Sequence, residues 1–234
     1  IKGKNIMAII KSGILGELQG SVGNITGKIV NGRNILSRKP GFRKKNNSVE
    51  VLKRREKFKL SASLGSAVGS FDILRLIWKA LAPQGLNHFS YFVQSNYKMV
   101  GDGVLTNKNI ITPYGGFPIG TGTNTISSTA LSIVVNALTG TYDFDLETEV
   151  NVKLYALVYL SNPVSDHAEK FTFIPIEFDS QVLQLTNSLT FSKALLKADQ
   201  VVYESYTDHK VYAAIVTLDA NNNPINFSSS ICIE

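Results

Sequence analysis

Two groups of charged side chains are the residues of this sequence best suited to binding a partner. The basic group lies between residues 38 and 55, and its members are Arg38, Lys39, Arg43, Lys44, Lys45, Lys53, Arg54 and Arg55. The acidic group comprises Asp143, Asp145, Glu147 and Glu149. Arginine forms paired hydrogen bonds with carboxylates and phosphates, so the basic group could bind an acidic protein or a nucleic acid.

The acidic residues occupy every second position, which in a β-strand places all four carboxylates on one face. Neighbouring carboxylates would then lie roughly 7 Å apart. A calcium ion needs oxygen ligands that converge on one point, so this spacing does not predict a metal site. The face is either solvated or a docking surface for the basic arm of a neighbouring subunit, and the docking surface is our working hypothesis.

The basic group allows three interpretations. It forms a solvated surface, it contacts an acidic protein partner or neighbouring subunit, or it binds nucleic acid through charge alone. Binding by charge alone would be independent of base sequence and would weaken as salt is added. Phe42 and Phe58 are the aromatic residues of this segment, and no known module for reading nucleic acid surrounds them.

No catalytic motif is recognisable in the sequence. The histidines His88, His167 and His209 lie in segments with no common spacing, whereas a catalytic base needs positioned partners. The glycine-rich start lacks the Gly-Lys-Ser/Thr ending of a phosphate-binding loop. The single cysteine, Cys232, cannot form an internal disulfide. We therefore expect a non-enzymatic protein with no cofactor.

Charge is distributed unevenly along the chain. Residues 1–60 hold 15 Lys and Arg against 3 acidic residues, a net charge of +12. Residues 61–234 hold 9 against 15, a net charge of −6. This asymmetry indicates a basic arm for an acidic partner, or head-to-tail contact between copies of the chain.

The basic N-terminal segment is rich in glycine. Glycine costs about 1 kcal/mol per position in a helix relative to alanine, which favours extended structure here. The Asn31-Gly32 pair predicts a two-residue turn for a hairpin over residues 28–36. Without Cβ atoms, such strands can approach the sheet edge of another chain closely. The predicted assembly arm includes Gly13, Gly16, Gly20, Gly23, Gly27, Asn31 and Gly32.

The chain divides by pattern into three parts. Residues 1–47 form the arm, and residues 48–86 form two helices, the first over 48–64 and the second from about Ser70 to Pro83. Residues 87–234 form an antiparallel β-sandwich of the immunoglobulin or fibronectin type III class, which makes the fold mainly β, α+β overall. Its strands are expected at 129–137, 149–160, 171–178, 188–191, 200–206, 210–218 and 225–233.

Two further features concern location and recognition. No apolar run approaches the length of a membrane-spanning helix, and residues 7–18 lack the apolar core of a secretory signal, so we expect neither membrane insertion nor secretion. All nine tyrosines lie beyond residue 90. They serve recognition if they lie on an exposed sheet face, or they are half-buried strand residues.

Several of these motifs together resemble a known family. The motifs are Gly13-Ile-Leu-Gly16, Gly20-Ser-Val-Gly23-Asn, Asn31-Gly32, Arg38-Lys-Pro40, Arg55-x-x-Phe58 and the run from Leu154 to Pro163. They resemble an uncharacterised domain-of-unknown-function family of Bacteroidetes, although Val51 stands where that family has glutamine. The Arg-x-x-Phe helix after a basic, proline-containing stretch is also similar to phage and prophage structural proteins.

The resemblance implies a structural protein of a virion or another particle, assembled in the bacterial cytoplasm, whose basic arm docks on neighbouring subunits. It implies no catalytic residues. The alternatives are a nucleic-acid-binding or packaging protein that uses residues 33–59, and a surface adhesion module that presents the β domain.

Overall fold

The computed structural model describes residues 8–10, 19–30, 32–41, 46–165 and 168–234. Contacts within the chain define two units. Unit 1 comprises Ile1–Ser48 with Gln84–Leu86, and unit 2 comprises Val49–Pro83 with Asn87–Glu234. Unit 2 therefore contains both the helices and the β region that the sequence suggested as separate parts.

Unit 1 contains one antiparallel sheet. Its strands are β1 (Ala8–Ile10), β2 (Gly20–Val22), β3 (Ile25–Val30) and β4 (Arg33–Arg38), in the order β1-β4-β3-β2. β3 and β4 form the predicted hairpin, with Val30 paired to Arg33. Gly32 in the turn has a φ of +71°, which favours glycine. Asn31, Gly13 and Gly16 lie outside the described residues.

Three arm glycines are explained by backbone conformation. Gly20, Gly23 and Gly32 have φ values of +106°, +56° and +71°. A Cβ atom added at any of the three would have no described atom within 4 Å. The close approach expected from the sequence concerns the sheet edge of another chain, and it stays a prediction.

Unit 2 combines four helices with nine strands in the part of the chain that the structure describes. The helices are α1 (Val49–Gly69), α2 (Asp72–Ala80), α3 (His88–Tyr97) and α4 (Lys197–Glu204). The strands are β5 (Thr125–Ile126), β6 (Ala130–Val135), β7 (Asn151–Pro163), β8 (Phe171–Glu177), β9 (Gln181–Val182), β10 (Leu189–Ala194), β11 (Tyr206–Leu218), β12 (Pro224–Phe227) and β13 (Ile231–Ile233).

The long strands β7 and β11 form the centre of unit 2. They lie antiparallel in the sheet β12-β11-β7-β8, to which β13 and β9 add short pairings. Residues 154–161 and 211–218 are all buried. Strands buried on both faces read as continuous apolar runs, which is the pattern of these two segments.

Each face of the central sheet has its own core. On one face, Leu154, Ala156 and Val158 pack in a cluster with Ile133 of β6 and Phe191 of β10, which belong to the antiparallel sheet β10-β6-β5. On the other face, the apolar cluster joins sheet residues to the helices. Its members include Tyr155, Leu157, Tyr159, Tyr212, Leu60, Leu64, Leu74, Trp78 and Phe92.

The fold is mainly β with antiparallel sheets, as expected, but an immunoglobulin-like sandwich is not confirmed. Two helices were not foreseen. α3 begins where the β region was expected, and residues 200–206, predicted as a strand, lie mostly in α4. In addition, Tyr155, Tyr159 and Tyr212 are buried under helices rather than presented on an exposed face.

Buried amides hold the irregular segment that follows α3. The Asn96 side chain accepts a hydrogen bond from the Ile110 backbone N–H at 2.9 Å and donates one to the Ile110 carbonyl at 3.1 Å. It also accepts one from the Asn109 side chain at 3.2 Å. Trp78 donates to the Ile111 carbonyl at 2.9 Å, which ties the same segment to α2.

Among the described residues, no single helix has both the length and the apolar composition of a membrane span. α1 and α2 taken together reach that length and composition, but they meet at a bend of 111°.

A close backbone approach gives the first testable prediction. A Cβ atom at Gly116 would lie 2.5 Å from the carbonyl carbon of Ser228, so Gly116→Ala should force the two segments apart. We expect a loss of about 1–3 kcal/mol in the free energy of unfolding, measured by urea denaturation. Gly69→Ala is the control, because its Cβ meets no described atom within 4 Å. Equal stability of the two variants would contradict the prediction.

The buried tyrosines predict a loss of stability at alkaline pH. Burial, with the nearby carboxylates of Glu177 and Asp72, raises the pKa of Tyr155 above its ordinary value of about 10. The unfolded chain therefore loses this proton at a lower pH than the folded chain. Stability is retained below pH about 10 and falls as pH rises further.

Tyr155→Phe should reduce this alkaline loss. The Tyr155 hydroxyl is buried and has no hydrogen-bond partner among the described residues, so the variant should not be less stable at neutral pH. The measurement is the free energy of unfolding as a function of pH. The control is Tyr114→Phe, at a residue that is 58% exposed, and an alkaline slope in Tyr155→Phe equal to wild type would contradict the prediction.

Candidate functional site

The first half of α1 is a helical surface with little packing beneath it. Residues 49–59 are all exposed or half-buried, and Leu60 is the first buried residue of the helix. Lysine, arginine, glutamate and leucine are good helix formers, which suits this segment to an exposed helix. Apolar side chains nevertheless stand on it, with Val49 70%, Leu52 45% and Phe58 55% exposed.

The basic side chains of α1 are partly balanced by carboxylates. Lys53 lies 3.8 Å from Asp102, and Lys59 lies 3.4 Å from Glu169. Arg54 lies 3.9 Å from Glu50, one turn earlier in the same helix. Exposed ion pairs of this kind contribute little to stability and exchange readily, so these cations remain available to a partner.

A groove runs between α1 and α3. Its apolar lining is Phe58 of α1 with Phe89, Val93 and Tyr97 of α3, and its volume is about 410 Å³. Lys98 lines the same groove, and Lys57 lies 5.4 Å from the centre of the Tyr97 ring. We call this surface the α1–α3 groove. It combines an apolar floor with a basic rim.

Gly65 allows the two helices to approach at the base of this groove. A Cβ atom there would lie 3.0 Å from Phe92 Cδ1 and 3.2 Å from Phe89 Cε2. Beside the groove, Phe58 also borders a second depression of about 360 Å³. Its other lining residues are Val51, Arg54, Arg55 and Lys59.

The acidic residues do not form the predicted strand. Residues 143–149 form an irregular turn, so the four carboxylates do not share a strand face. Asp143, Asp145 and Glu147 are exposed, whereas Glu149 is only 2% exposed. The assignment of Glu149 to a docking face is therefore wrong, and a docking role for the other three stays a prediction.

Glu149 instead links this turn to β11 and β12 of the central sheet through hydrogen bonds. Its carboxylate accepts hydrogen bonds from the Thr217 hydroxyl, from the Asn226 amide at 3.1 Å and from the Asp145 backbone N–H at 3.2 Å. Phe144 is also buried, with its ring centre 5.0 Å from that of Phe117. The turn is thus held by a buried carboxylate and a buried ring.

The exposed part of the turn has a defined shape. The Asp145 side chain accepts hydrogen bonds from the Glu147 backbone N–H at 3.1 Å and the Thr148 hydroxyl at 3.0 Å. Tyr142 is 45% and Leu146 is 56% exposed. We call residues 142–147 the acidic turn. It presents apolar side chains among three carboxylates.

The other predicted site residues are distributed over the two units. Arg38 ends β4 and Lys39 follows it, and both are exposed in unit 1. Lys53, Arg54 and Arg55 are exposed on α1 in unit 2. Arg43, Lys44 and Lys45 lie outside the described residues.

Sequence reasoning missed the α3 side of the groove. Phe89, Val93 and Tyr97 recur every four residues, which is a helical signal. Because residues 87–234 are predicted as the β region, this helical spacing does not enter that prediction. Asn87, whose side chain accepts a hydrogen bond from the Ser90 backbone N–H at 2.7 Å, marked the start of this helix.

The described histidines and acidic residues are expected to have no catalytic or metal-binding role. Within the described ranges, no group of three or more His, Cys, Asp or Glu residues could hold a metal ion. His209 stacks on Tyr203 with ring centres 4.0 Å apart, and its Nε2 lies 3.2 Å from the Tyr203 carbonyl. These two contacts give His209 a structural role. His167 lies outside the described residues.

Comparison with known proteins does not identify this chain. No family model and no curated protein matches it. Fourteen chains of solved structures match, among them a selenomethionine-labelled β-glucosidase from Kluyveromyces marxianus. That match has 8% identity and a TM-score of 0.23, and it covers 60% of this chain and 16% of the β-glucosidase. Similarity this low carries no argument about fold or activity.

The anchoring role of Glu149 is testable. Glu149→Ala would leave the buried Thr217 hydroxyl, the half-buried Asn226 amide and the Asp145 N–H without this acceptor, so we expect a loss of about 1–3 kcal/mol in the free energy of unfolding. Glu147→Ala, at an exposed carboxylate two residues earlier, should change stability by less than about 0.5 kcal/mol. Urea denaturation measures both, and similar values for the two variants would refute the anchor.

Proposed function

We propose that this chain is a non-enzymatic structural subunit of a larger particle, in which the sheet of unit 1 docks on a neighbouring copy. The observation that carries the proposal is a sheet face on which the apolar side chains of Val22 and Ile25 lie exposed. The resemblance to phage and prophage structural proteins favours a virion as the particle. The immunoglobulin-like character of the packed sheets in unit 2 stays a prediction beside it.

Strand register places apolar residues together on one face of the unit 1 sheet. Val22 pairs with Ile25, and Gly27 pairs with Leu36. Because side chains alternate along a strand, Val22, Ile25, Ile29 and Leu36 belong to the same face, which also carries Gly20, Gly27, Asn34 and Arg38. The opposite face carries Ser21, Thr26, Lys28, Val30, Arg33, Ile35 and Ser37.

The apolar face is substantially exposed. Val22 is 71% and Ile25 is 52% exposed, and no apolar side chain within residues 19–30 and 32–41 is buried. A small sheet needs a covered apolar face for stability in water. A neighbouring subunit that covers this face would bury the area that the chain itself leaves open.

Charge favours another copy of this chain as the neighbour. Residues 1–60 carry a net charge of +12, and residues 61–234 carry −6. Opposite charges on the two parts attract copies to one another in solution. β2 also pairs only with β3 among the described strands, so its outer edge has room for an added strand.

The proposal predicts that the apolar sheet face is needed for association. In the full chain, the Val22→Asp/Ile25→Asp variant should self-associate more weakly than wild type in sedimentation velocity, because buried carboxylates without partners are costly. The melting of unit 2 should not change, since the described residues that form its two cores all belong to unit 2.

The matched control is Ser21→Asp/Val30→Asp, which makes the same change of charge on the opposite face. It should keep the oligomeric mass of the wild type. A wild-type protein that stays monomeric at every concentration, or equal association of both variants, would overturn the proposed function.

A further inference from the structure

We infer that the acidic turn of one copy binds the α1–α3 groove of a second copy of this chain. The inference rests on the proposed assembly function and names the partner of a surface in unit 2. It concerns an interface different from the sheet of unit 1, so the two can be tested separately.

The acidic turn has the form of a preorganised ligand. Leu146 is 56% exposed between the exposed carboxylates of Asp145 and Glu147. Glu149 and Phe144 hold the base of the turn in the core, and Asp145 accepts two hydrogen bonds that fix its shape. A turn already held in one conformation loses little conformational entropy on binding.

The groove has the complementary chemistry. Phe58 and Tyr97 offer an apolar surface for a leucine side chain, and Phe58 is 55% exposed. Lys98 lines the same groove, and Arg54 lies one helical turn before Phe58. An apolar anchor surrounded by opposite charges is the usual composition of a protein interface.

The contact that we infer joins two copies of the chain. Glu149 and Phe144 fix the acidic turn to β11, β12 and Phe117, and both Leu146 and Phe58 remain exposed in the single chain. A phosphate backbone would satisfy the cations but would leave the apolar floor uncovered, which disfavours nucleic acid as the occupant. The acidic turn, in contrast, supplies carboxylates for the cations and a leucine side chain for the apolar floor.

The symmetry of this contact has a structural consequence. The turn and the groove are different surfaces, so each copy offers one of each to its neighbours. Such a head-to-tail interface gives a closed ring when the rotation closes and a filament when it does not. Either product is an assembly intermediate suited to a particle subunit.

Charge inversion provides the test. The turn variant is Asp143→Lys/Glu147→Lys, and the groove variant is Arg54→Glu/Lys98→Glu, both in the full chain. Each variant alone should self-associate at least about a hundredfold more weakly than wild type, because like charges then face each other. An equimolar mixture should recover association, since each variant's turn is complementary to the other variant's groove.

Matched controls separate the interface from net charge. Asp179→Lys/Glu204→Lys and Lys79→Glu/Lys108→Glu make the same charge changes at exposed residues elsewhere in unit 2. These controls should associate as wild type does and should gain nothing on mixing. Leu146→Ala should weaken association by about tenfold or more, whereas Leu196→Ala, at a residue 73% exposed on another surface, should not.

Analytical ultracentrifugation over a concentration series measures all of these proteins. Wild-type-like self-association of the turn and groove variants, or no recovery in their mixture, would overturn this inference while the assembly function stands. A wild-type chain that is monomeric at every concentration would overturn both. Loss of association in the two variants, with recovery on mixing, is the expected result.

Discussion

Burial of β7 and β11 on both faces is the constraint on which the rest of unit 2 depends. Strands that are apolar on both sides cannot leave either side in water. The helices cover one face, and the sheet β10-β6-β5 packs against the other. The site surfaces follow from this arrangement, because α1 and α3 lie beside each other in the layer that covers the central sheet.

Both candidate surfaces are exposed parts of segments whose other residues are buried in the two cores. α1 is buried from Leu60 onward, and its exposed half extends from that buried part. The acidic turn connects to β7 and is held by Thr217 of β11 and Asn226 of β12. A substitution in either core would therefore change a proposed interaction surface as well as the stability of unit 2. A variant that associates less can do so because it is less stable, and its free energy of unfolding distinguishes the two causes.

The sequence predicted the elements whose signals are local. The Asn31-Gly32 pair indicated the β3–β4 hairpin, and the spacing of Leu74, Ile77 and Trp78 indicated α2, where all three are buried. Leu81, placed on the same buried face by that spacing, is 46% exposed, because the helix ends at Ala80. The sequence could not show which of two apolar strand faces would lie under helices, since that depends on contacts distant in the chain.

The candidate site was harder to predict for the same reason. Alternating carboxylates at 143–149 fit a strand, but burial of Glu149 with Thr217 and Asn226 bends the segment into a turn. Those partners lie 68 and 77 residues away, beyond the reach of any periodicity argument. The basic character of α1 was visible in the sequence, whereas the groove required α3 at its side.

The two halves of α1 differ in how readily they open. A helix of about a dozen residues is marginal in water without tertiary packing, so residues 49–59 depend on the buried half to stay helical. Their backbone amides should exchange with solvent well before those of residues 60–69. Warming would thus melt the basic surface while the central sheet is still intact, so the proposed contact with a second copy would be lost at a temperature below that at which the chain unfolds.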